Sequence, residues 1–141
     1  MAVRVRLRIR NVLSGRLIET SALVNSGYEA DTPQLLIPRA LAARIDLWPP
    51  PPEAELVEVG TAGGPVRNYL IRRVLEVWVV TSDRIVGPVL SDAMISSIEQ
   101  EVLISDQLGS ELGITILDLR GKWKFKDEDR VRESEAPQYW Y

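Results

Sequence analysis

A mainly β domain of short strands, a small Greek-key-like barrel or sandwich, is predicted from three features of the sequence. The first ten residues alternate without a break, with Val3, Val5, Leu7 and Ile9 on one face and Arg4, Arg6, Arg8 and Arg10 on the other. That is the period of a half-buried strand. Runs rich in Val, Ile, Leu and Trp then recur between clusters of Gly, Pro, Asn and Asp. Helical signals are few and short. The length of 141 residues suits one domain, and 45% apolar with 26% charged residues is enough to bury a core.

Taken in order, Asn11 to Gly15 supplies turn chemistry, and Arg16 to Val24 reads as the strand returning from the first hairpin. Beyond Asn25-Ser26-Gly27, Gln34 to Ile37 is a short apolar strand. Pro38 opens a helix to about Ile45, because the first helical turn does not need the N–H that proline lacks. Pro49 to Pro52 form a stiff polyproline segment; the 48 residues before it are too few for a comfortable core, so it reads as a rigid loop within one domain. Glu55 to Thr61 and Val66 to Ile71 flank Ala62-Gly63-Gly64-Pro65 as a hairpin. Arg72 to Val80 continues as strand, Arg84 to Leu90 is another strand, and Asp92 to Ile98 is expected to be a short helical or irregular link. Glu101 to Ile104 is strand-like, Asp106 to Leu112 a short helix capped by Ser105 and stopped by Gly113. Ile114 to Leu117 and Lys122 to Lys126 complete the strands of a domain over residues 1–126. Residues 127–141 are expected to be a mobile polar and acidic tail, whose terminal Tyr139-Trp140-Tyr141 offers a means of docking.

The chain has no histidine and no cysteine. This excludes Ser-His-Asp and Cys-His catalysis, zinc fingers, iron–sulfur clusters and disulfides. Carboxylates, cations, hydroxyls and amides remain for chemistry. Asp127, Glu128 and Asp129 lack the ligand order of a calcium loop, and no glycine loop followed by Lys-Ser/Thr is present to cradle phosphate, so no metal or cofactor is expected. A net charge of -3 argues against a chain built to neutralise nucleic acid. The arginine stripe of the first strand is expected to pair with Glu19, Glu55 or Glu58 on neighbouring strands. The longest uncharged stretch, Thr20 to Tyr28, is nine residues, too short for a membrane span. The alternating N-terminus lacks the apolar run of a signal peptide, so a cytoplasmic location is expected. Arginine outnumbers lysine 14 to 3, a bias reported in some thermophile families.

One segment bears on function. Ala22-Leu23-Val24-Asn25-Ser26-Gly27 sets a polar triplet directly after three apolar strand residues, where a small glycine lets the chain turn and leaves the polar side chain at the strand tip. Alone, it also fits an ordinary turn. Leu36-Ile37-Pro38, Leu41-Ala42, Leu47, the Gly63-Gly64 hairpin, Val102-Leu103-Ile104, the helix at Leu108 to Leu112, Ile114 to Asp118 and Gly121-Lys122-Trp123 follow it in order. This order over roughly the first 125 residues resembles the retropepsin-like aspartic proteases, whose signature is two apolar residues, Asp, Thr or Ser, and Gly. Two positions depart from that pattern: Asn25 stands where the family has its catalytic Asp, and Ser105 where it usually has glycine.

The resemblance implies a small closed β-barrel with a flap hairpin at Ala62, Gly63 and Gly64 and one or two short helices. It also implies a two-fold homodimer in which each chain supplies one triplet and Ser26 ties the two together. In the family two carboxylates share a proton, one acting as base on water and the other as acid toward the carbonyl. An Asn25 pair has no proton to exchange, and losing such assistance costs about 10²–10⁴ in rate. Three readings follow. The chain is a silenced homologue that binds peptide or protein segments through Asn25, Ser26, Gly27 and the flap. Alternatively it is an active endopeptidase, if Asn25 deamidates or replaces a native Asp. The third reading is a nucleic-acid-binding barrel that uses the arginine strand.

Overall fold

The computed structural model describes residues 2–141 and contains ten strands and two short helices among them. Strand β1 (Arg4–Asn11) buries Val5, Leu7 and Ile9 completely and turns its four arginines outward, as the alternation predicts. It pairs antiparallel with β2 (Leu17–Val24), Arg4 facing Leu23 and Arg10 facing Leu17. The next neighbour of β2 comes from far along the chain. This is β7 (Val102–Ile104), which runs parallel to it with Ala22 opposite Val102 and Val24 opposite Ile104. On the other side of β7 lies β3 (Gln34–Pro38), antiparallel, which pairs in turn with the parallel β6 (Ile85–Ser96).

Closure depends on β5 (Gly64–Val80), a strand of 17 residues. It lies antiparallel to β6 along much of its length, and Leu75 to Val79 pair with Asn11 to Leu7 of β1. The cycle β1-β2-β7-β3-β6-β5 is therefore a closed six-stranded β-barrel. Strand β4 (Glu55–Thr61) pairs with the first half of β5 and carries the Ala62-Gly63 hairpin tip away from the barrel. Gly64, at φ 108°, takes the left-handed backbone that the turn requires.

Helix α1 (Arg39–Arg44) follows β3 directly, with Pro38 as its extended N-cap. Helix α2 (Asp106–Glu111) starts at Ser105, whose hydroxyl accepts from the N–H of Leu108. A second sheet joins β8 (Ile114–Asp118), β9 (Lys122–Phe125) and β10 (Arg132–Glu133).

Two expectations are corrected. Asp92 to Ser96 belong to β6 and are not a link. Every residue from Ser91 to Ser96 is buried, because β3 and β5 flank the strand and both its faces are covered, so the alternation that marks a strand is missing. As expected, Arg72 to Val80 continues the run Val66 to Ile71 as strand, and the single strand is interrupted where Arg73 takes φ 53° and the pairing with β6 slips. Residues 127–141 do not trail into solvent. Arg132 is buried over Trp123 and Phe125 and donates to Asp83 and Glu128 at 2.6–3.1 Å. Arg84 ties Asp127 and Glu128 to the same cluster. A polar composition hides such contacts, since Asp83 with Arg132 and Arg84 with Asp127 join residues distant in sequence.

Arg132 holds the carboxyl of Asp83 well below its ordinary range and that of Glu128 at about 2, against an ordinary 4.5. A depressed carboxylate contributes stability that is complete above its ordinary pKa and is lost as pH falls through the folded value. Thermal melts should therefore show constant stability from pH 7 to about 5 and a progressive loss from there toward pH 2. In Glu128→Gln the acid limb of that curve should be shallower; an unchanged limb would show that the cluster does not tie the C-terminal segment down.

Candidate functional site

Strand β2 delivers Asn25 to a strand tip. The Asn25 N–H donates to the carbonyl of Ile104 at 3.2 Å, continuing the pairing with β7 by one residue. Its side-chain Oδ1 then accepts from the Gly27 N–H at 3.1 Å, and its carbonyl accepts from Tyr28 at 3.0 Å. These bonds make a tight Asx turn. Glycine at 27 keeps it open: a Cβ there would meet Asn25 Oδ1 at 3.3 Å. Asn25 is half-buried, while Ser26 and Gly27 are exposed.

The loop that follows is anchored to the start of α2. The Asp106 N–H donates to the Tyr28 carbonyl at 2.9 Å, and Asp106 Oδ1 accepts from Ala30 at 3.0 Å. Ser105 Oγ accepts from the N–H of Gln34 as well as from Leu108, so one hydroxyl caps the helix and pins β3. A glycine at position 105 could do neither. A depression of about 300 Å³ opens beside Asn25 and Ser26, walled by α2 and by Ile114 and Ile116 of β8. Asp106 is the only acid lining it among the described residues, and its Oδ1 already accepts from two backbone N–H groups. Asp31 lies exposed in the loop and takes no part in this depression.

The other expected site residues lie elsewhere. Ala62 and Gly63 are exposed at the hairpin tip, where Thr61 Oγ1 donates to the carbonyl of Gly64 at 2.5 Å; the hairpin does not line the depression at Asn25. The arginines of β1 all have carboxylate partners: Glu101 for Arg4, Glu135 for Arg6 at 2.9 Å, Glu19 for Arg8 at 3.1 Å and Glu76 for Arg10 at 2.7 Å. Glu19 is one of the three partners expected. Glu55 pairs instead with Arg72, because β4 borders β5 and never reaches β1.

No family model matches the chain, and no curated protein matches it.

A buried network around Asp92 was not foreseen. The Thr32 hydroxyl donates to Asp92 Oδ2 at 2.6 Å and the Arg73 N–H to Oδ1 at 2.8 Å. Gln34 connects Thr32 to the Tyr28 hydroxyl, which donates to Gln34 Oε1 at 2.9 Å. Burial, and next the charge of Asp92, push the Tyr28 phenol well above its ordinary range, so it remains a donor. The chain of bonds thus runs from the strained bulge in β5 to the loop after Asn25. A wider depression of about 730 Å³, bordered by Thr32, Arg73 and Lys126, opens beside Asp92. The signal available in the sequence was a lone Asp between apolar residues of a buried run.

Asp92→Ala should cost about 1–3 kcal/mol in chemical denaturation, the penalty for leaving the Arg73 N–H and the Thr32 hydroxyl without an acceptor. Asp92→Asn, which keeps an acceptor, should lose less. Equal losses from both substitutions would show that the carboxylate charge, and not the clamp on the bulge, is what matters.

Proposed function

We propose that this chain is a retropepsin-like homodimer that holds extended peptide or protein segments without cleaving them. The observation that carries the reading is the tip of β2: a parallel strand pair delivers Asn25-Ser26-Gly27 as an Asx turn beside a concave surface whose acid, Asp106, stands on α2 and not at the strand tip. Asparagine there keeps the shape of aspartate, with one acceptor oxygen and an NH2 donor in place of the second oxygen, but it has no proton to give or take near neutral pH. Asp106 is placed differently: it opens α2, and its Oδ1 accepts from the N–H groups of Ala30 and Gln107, which ties it to the loop.

Dimer formation is supported by β8. It ends the second sheet, so one of its edges has no strand neighbour, and Leu117 and Leu119 are exposed there while Ile114 and Ile116 border the depression at Asn25. A second copy related by a two-fold axis would cover those residues and complete a two-sided site. Peptide capture would then use backbone edges, among them the open edge of β4 in the hairpin, a form of recognition that needs no acid. The arginine strand gives less support to nucleic-acid binding, because its guanidinium groups are already paired.

Sedimentation should give twice the chain mass at micromolar concentration, and Leu119→Asp should halve it while leaving the melting temperature of the monomer nearly unchanged. Against a mixed peptide library from acid to neutral pH, the native protein should show no cleavage. Asn25→Asp should raise the rate by about 10² or more, inhibited by a statine compound. A native monomer, or cleavage by the native chain at a rate equal to the variant's, would overturn the reading.

A further inference from the structure

The last six residues sit on the barrel as a peptide sits in a groove. Strand β2 overhangs its neighbour: β7 begins to pair at Val102 opposite Ala22, so Thr20 and Ser21 face the segment at Gln100 without a ladder between them. Trp140 wedges into that notch. Its indole N–H donates to Thr20 Oγ1 at 3.0 Å and its backbone N–H to the carbonyl of Gln100 at 2.7 Å, so the one residue bridges both sides. Gln138 Oε1 accepts from the N–H of Ser21 at 3.2 Å, and Arg44 lies 6.0 Å from the Trp140 ring.

The exposure pattern is that of an extended segment: Gln138 and Trp140 turn inward, Pro137, Tyr139 and Tyr141 outward. Upstream the chain is held differently. The N–H of Glu135 donates to the Arg4 carbonyl, Ser134 Oγ accepts from Arg4, and buried Arg132 fixes β10. Between the two anchorages Ala136 and Pro137 are exposed. The Ser21 hydroxyl, on the face of β2 opposite to Thr20, is buried and has no hydrogen-bond partner. Beside Trp140 a further depression of about 460 Å³, bordered by Trp48, Arg39 and Ser96, lies open.

We infer that the notch between Thr20–Ser21 and Gln100 is a binding groove for an extended segment with tryptophan as its anchor and an amide side chain two residues earlier, and that residues 136–141 are its intramolecular occupant. The strap opens by itself, pivoting at Ala136-Pro137, while the barrel stays folded. A short tether holds such a ligand at an effective concentration on the order of millimolar, so an outside segment of the same chemistry competes only when it binds better or when the strap is weakened. This inference does not depend on the protease-like reading.

Hydrogen exchange on the intact chain tests the opening. The amides of Ser21 and Trp140 should exchange together and at least tenfold faster than those of Ile9 and Val77 in the barrel; exchange at the barrel rate would make the strap part of the global fold and overturn the inference. Binding is tested with the acetylated peptide Ala-Pro-Gln-Tyr-Trp-Tyr added to the full-length Trp140→Ala chain. That variant should bind the peptide at least tenfold more tightly than the native chain does, and a peptide with alanine for tryptophan should not bind. Failure of a folded Trp140→Ala chain to bind, equal binding of the two peptides, or unfolding of the variant would each sink the proposal.

Discussion

Strand β5 serves three partners, and the molecule depends on how it bends to reach them. Its first half makes the hairpin with β4, its second half closes the barrel on β1, and β6 supports both halves. A straight strand of that length could not leave one sheet direction and enter the other. The bend is made at Arg72 to Val74, where Arg73 takes a left-handed backbone that costs a side-chain-bearing residue of order 1–3 kcal/mol. Asp92 holds it there by accepting the Arg73 N–H from the neighbouring strand. A buried carboxylate without cationic partner is costly in general, but this one is met by two donors of good geometry.

That clamp reaches the candidate site. Thr32 donates to the same carboxylate; Thr32 and Tyr28 belong to the loop that leaves Asn25, and Gln34, which links them, begins β3. The loop is therefore fixed twice, on one side through Asp92 to β5 and on the other through Ser105 and Asp106 to α2. The barrel closure and the turn at Asn25 share one set of buried polar groups. A substitution at Asp92 acts on both, although Asp92 does not line the depression at Asn25.

What could be read in the sequence divides along the range of the forces involved. β1 was legible in its alternation because solvent lies on one face of it and core on the other, although it runs on through Asn11, which reads as turn; the capping Ser105 and stopping Gly113 mark α2 for similarly local reasons. Asn25-Ser26-Gly27 stood out because a polar triplet ends an apolar strand. Asp92 to Ser96 did not read as a strand, since a strand covered on both faces loses its period. The C-terminal segment misled for the opposite reason. Two of its ion pairs join residues 40 or more positions apart, Arg84 with Asp127 and Asp83 with Arg132, and no local pattern carries that information. Glu76 as partner of Arg10 is likewise a consequence of barrel closure, which strand propensity does not contain.

The amide at position 25 also bears on how two such tips could meet. Two ionised carboxylates brought close repel, and their approach requires a shared proton, so a pair of aspartates couples association to pH. Two amides carry no charge and present a donor and an acceptor each. Asn25 already spends its oxygen on Gly27, which leaves the Nδ2 protons for a partner or for a peptide carbonyl. In the dimer proposed here, then, the substitution that removes catalysis also removes the repulsion that catalysis must manage. Association should be indifferent to pH across the neutral range, with its acid limit set by the Arg132 cluster rather than by the site.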